Sequence, residues 1–394
     1  MQYYSKHIFM PDRMTEGYLT VENGKITGIS ADPLSENFID YSDFLILPGY
    51  IDIHLHGWGT GAFQQDGTAD SLYEMKSHLP DVGVTSFLGT LGADPVPFLK
   101  QAISEANKVY SDQREGAQML GLHLEGPFIN KEYKGMQKEE DCILPDLEIM
   151  KSFYDLQEDK SMIRLMTIAP ELDGAVDLLK FCKNHNIQCS AGHSAADFDC
   201  IKEMKAYGLG GVTHMFSAMK GFHHRELGVV GAALYFDDLY CEFAKQTGMT
   251  VKHEAFDLVY RIKGSKKIFL STDCTGLARS KKEHYHYIRK ETFIPENGKM
   301  KVVKDSGEVY WVDPNCYEET KKLELGYDQS VRNMAEHTAV TPFDIIKMTS
   351  ENPARYIHAF DRKGSLEIGK DADFIVCDES CHVCHTYCQG RKEK

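Results

Sequence analysis

Eight short apolar runs, separated by stretches of helical periodicity, constrain this chain more than any other feature. They are "YIDIHLH" (50–56), "VTSFLGT" (84–90), "MLGLHLEG" (119–126), "IRLMTIAP" (163–170), "IQCSAGH" (187–193), "LGGVTHMF" (209–216), "LYCEFAK" (239–245) and "KIFLSTD" (267–273). Helical segments such as "SLYEMKSHLPDVG" (71–83), "PVPFLKQAISEANKVY" (95–110) and "AVDLLKFCKNHN" (175–186) lie between them. Strand–helix alternation over this length argues for a parallel sheet. Eight units favour a closed (β/α)8 barrel, in which chemistry sits at the C-terminal ends of the strands.

The flanks read differently. The first 47 residues are short strands and turns, with a hairpin at "GYLTVENGKITGIS" turning on Asn23-Gly24. The tail "GSLEIGKDADFIVCDESCHVCHTYCQGRK" returns to strand–turn–strand, and the two ends are expected to meet in one small β-domain. The expected division is 1–47 and 358–394 for that domain and 48–357 for the barrel. Residues 274–325 are rich in charge and aromatics and are expected to hold an inserted hairpin or lid. Thr341 is a good N-cap for a helix with Pro342 at its first position.

Charge and composition exclude several classes. The net charge is −15, and the longest basic cluster is the terminal "GRKEK", so no nucleic-acid partner is expected. No run of about 18 apolar residues occurs, so no membrane span is expected. The N-terminus lacks a basic region followed by an apolar one, which argues against a secretion signal. The 11 cysteines are then expected as thiols in a reducing cytoplasm.

What ends each run is informative. His54 and His56 end the first, Glu125 the third, His193 the fifth, His214 the sixth and Asp273 the eighth. Along a regular strand Asp52, His54 and His56 share one face, and Ile51, Ile53 and Leu55 the other. Two imidazoles on one face can grip a metal ion or can be ordinary surface histidines. Glu125 alone reads as well as a surface residue. Together the six form a His/His/Glu/His/His/Asp set where a barrel converges its strand ends. "SAGHS" places small residues before His193, where a ligand can approach. His123 reads equally as a neighbour of the site and as a packed core histidine.

The motifs "PGYIDIHLHG", "LHLEGPF", "SAGHS", "THMFSAM", "HHRELG", "STD" and "ENPARYIHAFDRKGSLEIGKDADFIV" follow the order seen in the amidohydrolase superfamily. They most resemble the N-acetylglucosamine-6-phosphate deacetylase family. The resemblance covers most of the chain and is weakest across 274–325. It implies a (β/α)8 barrel with a β-sandwich built from both termini, and a homodimer. It implies that Glu125, His193 and His214 hold one divalent metal, with zinc first and iron, manganese or cobalt suited to the same donors. His54 and His56 then hold a second ion with Glu125 bridging, or mark a vacant second site. Asp273 is the implied general base and then acid in hydrolysis of an N-acetyl amino-sugar phosphate.

The departures fall on substrate contacts. The family's Lys-Gly-Ala-His loop is "KGMQ" here, with Met136 at the Ala position and Gln137 at the carbonyl-polarising His position. Its phosphate-touching Asn-Ala pair is Ser217-Ala218, its phosphate-pairing Arg is kept as Arg225, and its Asp-Gly-x-His motif is "QTGMT", leaving Thr250 in place of the His. The family's Gly-Ser loop before the last barrel helix has no clear match. A different N-acyl substrate, such as an unphosphorylated amino sugar or an N-acyl amino acid, and a catalytically inactive metal-binding relative are the alternatives. "CHVCH" (381–385) has haem-attachment spacing but no export signal accompanies it. The glycines of "GWGTG" read as a tight turn, and Cys274 as a packing residue.

Overall fold

The computed structural model describes residues 1–112, 115–244 and 250–394. The eight runs form eight strands: β1 (Tyr50–Leu55), β2 (Val84–Leu91), β3 (Gln118–Leu124), β4 (Ile163–Ile168), β5 (Gln188–Ala191), β6 (Leu209–Val212), β7 (Tyr240–Ala244) and β8 (Ile268–Ser271). Lys245, the last residue of the seventh run, lies outside the described residues. Sheet order follows chain order from β1 to β8, and every pairing is parallel. The seam between β8 and β1 is closed just beyond the ladder. The Asp273 N–H donates to the His54 carbonyl at 2.8 Å. The Asp52 carboxylate accepts from the Thr272 N–H at 3.2 Å and from its hydroxyl at 2.6 Å.

Helices cover the barrel because their apolar residues recur at helical spacing. In the helix Val96–Ser111, Leu99, Ala102, Ile103, Ala106 and Val109 are buried and join the core between helices and strands. Each fully buried leucine or isoleucine contributes about 1.5–3 kcal/mol. Thr341 caps its helix in a full capping box with Asp344, an arrangement of about 1 kcal/mol.

β1 departs from the expected alternation. Its register against β2 shifts between Asp52 and Leu55, a bulge of the kind that re-aims side chains beside active sites. Ile51, before the bulge, and Ile53, within it, pack with Leu88, Leu120, Leu165 and Phe269 from strands around the barrel. Asp52 turns to Thr272 instead of sharing the face of His54. His54, within the bulge, and His56, beyond it, face Glu125 at the end of β3. The bulge therefore puts Ile53 and His54, adjacent in sequence, both inside the barrel.

The two termini form one eight-stranded sheet, with strands 374–377, 45–48, 2–9, 14–22 and 25–30 at its heart. It folds back on itself: the Ile26 N–H donates to the Lys370 carbonyl and the Ala372 N–H to the Gly24 carbonyl, both at 2.9 Å. Tyr3, Leu19, Ile26, Phe374 and Tyr387 form the core so enclosed. Asn23 and Gly24 both have positive φ, 50° and 74°, as a two-residue hairpin turn demands. The insert is larger than a hairpin. Strands 284–286, 291–296, 299–304 and 309–312 make a four-stranded antiparallel sheet around Phe293, Met300, Val302 and Val312. "CHVCH" runs into the strand Val383–Cys388, and all eleven cysteines are thiols.

Candidate metal centre

Four imidazoles converge on one carboxylate. Glu125 Oε1 lies 3.1 Å from His193 Nε2 and 2.9 Å from His214 Nε2, and those two nitrogens are 3.1 Å apart. On the other side, Glu125 lies 3.3 Å from His54 Nε2 through Oε1 and 3.2 Å from His56 Nε2 through Oε2. The two strand-1 nitrogens are 3.2 Å apart. Ligands on bonds of about 2.0–2.1 Å to a tetrahedral ion stand about 3.3–3.4 Å apart. Both triads, Glu125/His193/His214 and His54/His56/Glu125, come within a few tenths of an ångström of that spacing and share Glu125.

The donor set fits a cation electrically as well. Burial alone pushes the Glu125 carboxyl pKa up, but the imidazoles of His54, His193 and His214 outweigh it and hold the group well below its usual range. Burial pulls His54 down, and Glu242, Glu125 and Asp273 override it, holding the ring well above the usual histidine range. The carboxylates thus favour positive charge on this ring, whether a proton or a metal ion carries it. His193 Nδ1–H donates to the Tyr133 carbonyl at 2.9 Å, which leaves Nε2 as the ligand atom. Asp273 Oδ1 stands 3.5 Å from His54 Nε2 and 3.4 Å from His56 Nε2. Its side chain is 31% exposed where the others are buried, so it alone of the set borders solvent.

The backbone at these positions is unusual. His193, His214 and Asp273 have φ of 49°, 29° and 49°, a region that costs a non-glycine residue on the order of 1–3 kcal/mol. Each sits where the chain leaves its strand, and the turn aims the side chain inward. Gly192 is small for a reason other than ligand access. A Cβ there would lie 2.7 Å from Thr167 and 2.8 Å from Thr213, whose hydroxyls are hydrogen-bonded at 2.8 Å. Thr167 also bonds His123 Nε2 at 2.8 Å. His123 is fully buried, its ring 4.5 Å edge-on to His54, and burial drives its pKa well below the usual value. It is a neutral histidine packed under the centre.

The amidohydrolase family model matches residues 45–392. The chain belongs to the amidohydrolase family. Among curated relatives, the N-acetylglucosamine-6-phosphate deacetylase of Bacillus subtilis is 33% identical over 95% of this amidohydrolase and 92% of its own length. An N-acetylgalactosamine-6-phosphate deacetylase of Escherichia coli is 31% identical over 95% and 93%. Among solved structures, the Thermotoga maritima N-acetylglucosamine-6-phosphate deacetylase superposes with a TM-score of 0.81 at 26% identity, covering 100% of this chain and 99% of that one.

The substrate-contact positions of this amidohydrolase are spread more widely than its ligands. Gln137 Nε2–H donates to Glu125 Oε2 at 2.8 Å while its Oε1 accepts from the Ala93 N–H at 3.1 Å. The amide expected to face a carbonyl is engaged within the protein. Met136 is exposed. Ala218 stands beside His193 at the rim, where a Cβ at Gly135 would lie 3.4 Å from Ala218 and 3.5 Å from His193, and the Ser217 N–H donates to the His214 carbonyl at 2.9 Å. Arg225 lies on an exposed loop, where its N–H donates to His223 Nδ1 at 3.3 Å. Thr250 donates to the Ala244 carbonyl at 2.9 Å, and the rest of "QTGMT" (246–249) lies outside the described residues. Cys274 is buried and its thiol donates to the Leu325 carbonyl at 3.5 Å, which suits packing.

Two residues escaped sequence reasoning. Glu242 is buried in β7 and bonds His54, and Glu324 braces the turn after β8. The Glu324 carboxylate accepts from the N–H groups of Thr275, Gly276 and Leu277 at 2.6, 2.9 and 3.2 Å, pinning the loop that follows Asp273. A carboxylate inside "YCEFA" was the available signal for the first.

Proposed function

We propose that this amidohydrolase cleaves the acetamide of N-acetylglucosamine 6-phosphate, giving glucosamine 6-phosphate and acetate. The convergence of four imidazoles on Glu125, with Asp273 beside His54 and His56, carries the reading, and the deacetylase relatives supply the substrate. Glu125, His193 and His214 would hold one divalent ion, and His54, His56 and Glu125 a second. Such an ion would supply Lewis acidity toward water and the acetyl carbonyl. Asp273, at the solvent border, accepts the proton of the attacking water and passes it to the departing amine. Glu125 stays ionised between its imidazoles, with Gln137 fixing its Oε2. Arg225 and the backbone of Ser217-Ala218 take the sugar phosphate, and Met136 and Thr250 border the sugar.

Nitrogen and carboxylate donors support zinc, and they suit iron, manganese or cobalt as well. A homodimer is supported by the exposure of Phe222, 60%, beside Arg225, which leaves that loop open to a second copy. Among the described residues no helix is long and apolar enough to cross a membrane. Eleven thiols support a reducing, cytoplasmic setting. Residues 48–357 are the catalytic unit, and 1–47 with 358–394 the supporting β-unit.

Acetate release tests the reading on four substrates: N-acetylglucosamine 6-phosphate, its galactosamine epimer, free N-acetylglucosamine and an N-acetyl amino acid. The highest kcat/KM is expected on the first. Equal or faster release from an unphosphorylated compound would move the assignment to another N-acyl substrate, and no release from any would mark an inactive relative.

A further inference from the structure

We propose that Glu242 is a positioning residue that commits His54 to a divalent cation and so sets the ion count of the chain at two. This rests on the two-ion reading above. Glu242 sits on β7 and is 1% exposed. Its Oε1 accepts the His54 Nδ1–H at 2.7 Å and the Ser271 hydroxyl at 2.6 Å. Donation from Nδ1 leaves the Nε2 lone pair facing His56 and Glu125. The His123 ring, edge-on at 4.5 Å, stands against the same imidazole, and Ser271 fixes the carboxylate.

The arrangement is asymmetric. Among the described residues, His54 alone of the four imidazoles has a carboxylate at Nδ1. His193 uses the Tyr133 carbonyl, while His56 and His214 bury Nδ1 atoms with no hydrogen-bond partner. A carboxylate behind a ligand imidazole fixes its tautomer and raises its basicity, and removing such a partner typically weakens a metal site about 10–100-fold. Glu242 stands behind His54, away from the substrate side, so its charge acts through the ring.

The test is a titration of the full chain, stripped by chelation, with Co²⁺ and Zn²⁺. Ions per chain and the affinity of each are read by equilibrium dialysis. Wild type is expected to take two ions. Glu242→Gln, which keeps the shape and an acceptor but removes the charge, should leave one tight ion and weaken the other about tenfold. Glu242→Leu should weaken it about 100-fold. The thermal midpoint of the stripped proteins reports any loss of folding. A merely structural role lowers that midpoint and weakens both ions together, which would overturn the inference. So would two ions at wild-type affinity in both variants. A single ion in wild type would instead sink the two-ion reading itself.

Discussion

The two ends of the barrel interior are built from the same strands for opposite purposes. At one end Ile51, Ile53, Leu88, Leu120, Leu165 and Phe269 close on Tyr356 and Ile357. Tyr356 is tied down by hydrogen bonds to Ser190 at 2.6 Å and to the Cys189 carbonyl at 3.1 Å. At the other end buried imidazoles and carboxylates crowd together, and three of the residues carry left-handed backbone. The apolar end contributes stability through close packing. The polar end spends stability instead, on desolvated ionisable groups and on left-handed backbone at His193, His214 and Asp273. Stability and chemistry are thus separable along the barrel axis, on the scale of a few residues per strand.

Stripping the metal with a chelator should break the comparison most sharply. Acetate release should fall below detection and return with added zinc or cobalt. Full loading should raise the unfolding free energy by about 3–4 kcal/mol at a 100- to 1,000-fold ligand excess over Kd. Activity that survives stripping would remove the basis of the proposed chemistry. Next, Asp273→Asn should lower kcat about 10³-fold, within the 10²–10⁴ range of proton-transfer catalysis. Because asparagine tolerates left-handed backbone, its thermal midpoint should stay near wild type. A variant that keeps its turnover shows that Asp273 is not the base.

At the apolar end the signs reverse. Phe269→Ala should cost about 3–5 kcal/mol of stability in denaturant unfolding, while kcat of the folded protein stays within about twofold. A large kcat loss there would mean that the two ends are coupled. Smallest is Tyr356→Phe, which leaves Ser190 and the Cys189 carbonyl short of one partner. Unfolding should show a loss of about 1 kcal/mol, with ion content unchanged.

Much of this division was legible in the sequence, because strand–helix alternation and residue types at strand ends are local signals. The ligand candidates His54, His56, Glu125, His193 and His214, and Asp273, all lie where their runs end. What escaped depends on register and on distant partners. The bulge between Asp52 and Leu55 is a property of β1 against β2 and leaves no mark in "YIDIHL". Glu242 reads as one charge in an apolar strand until His54, 188 residues away, is seen against it. Gln137 reads as a substrate donor, and only the fold shows that Glu125 already takes its hydrogen bond. Glu324 lies in a stretch where the family pattern gives no guide.

The seam between β8 and β1 has a consequence for how the molecule assembles. The Asp52–Thr272 hydrogen bonds join residues 220 apart in sequence, and the Asp273 N–H reaches His54 across nearly the same separation. Contacts of such long range form late, because loop-closure entropy must be met before they reward the chain. A nascent chain that ends before residue 268 contains both ligand triads but lacks the base and the strand that fixes its distance from them. The hydrolytic centre is therefore completed by the same event that closes the barrel, and a partly made chain holds metal ligands without Asp273.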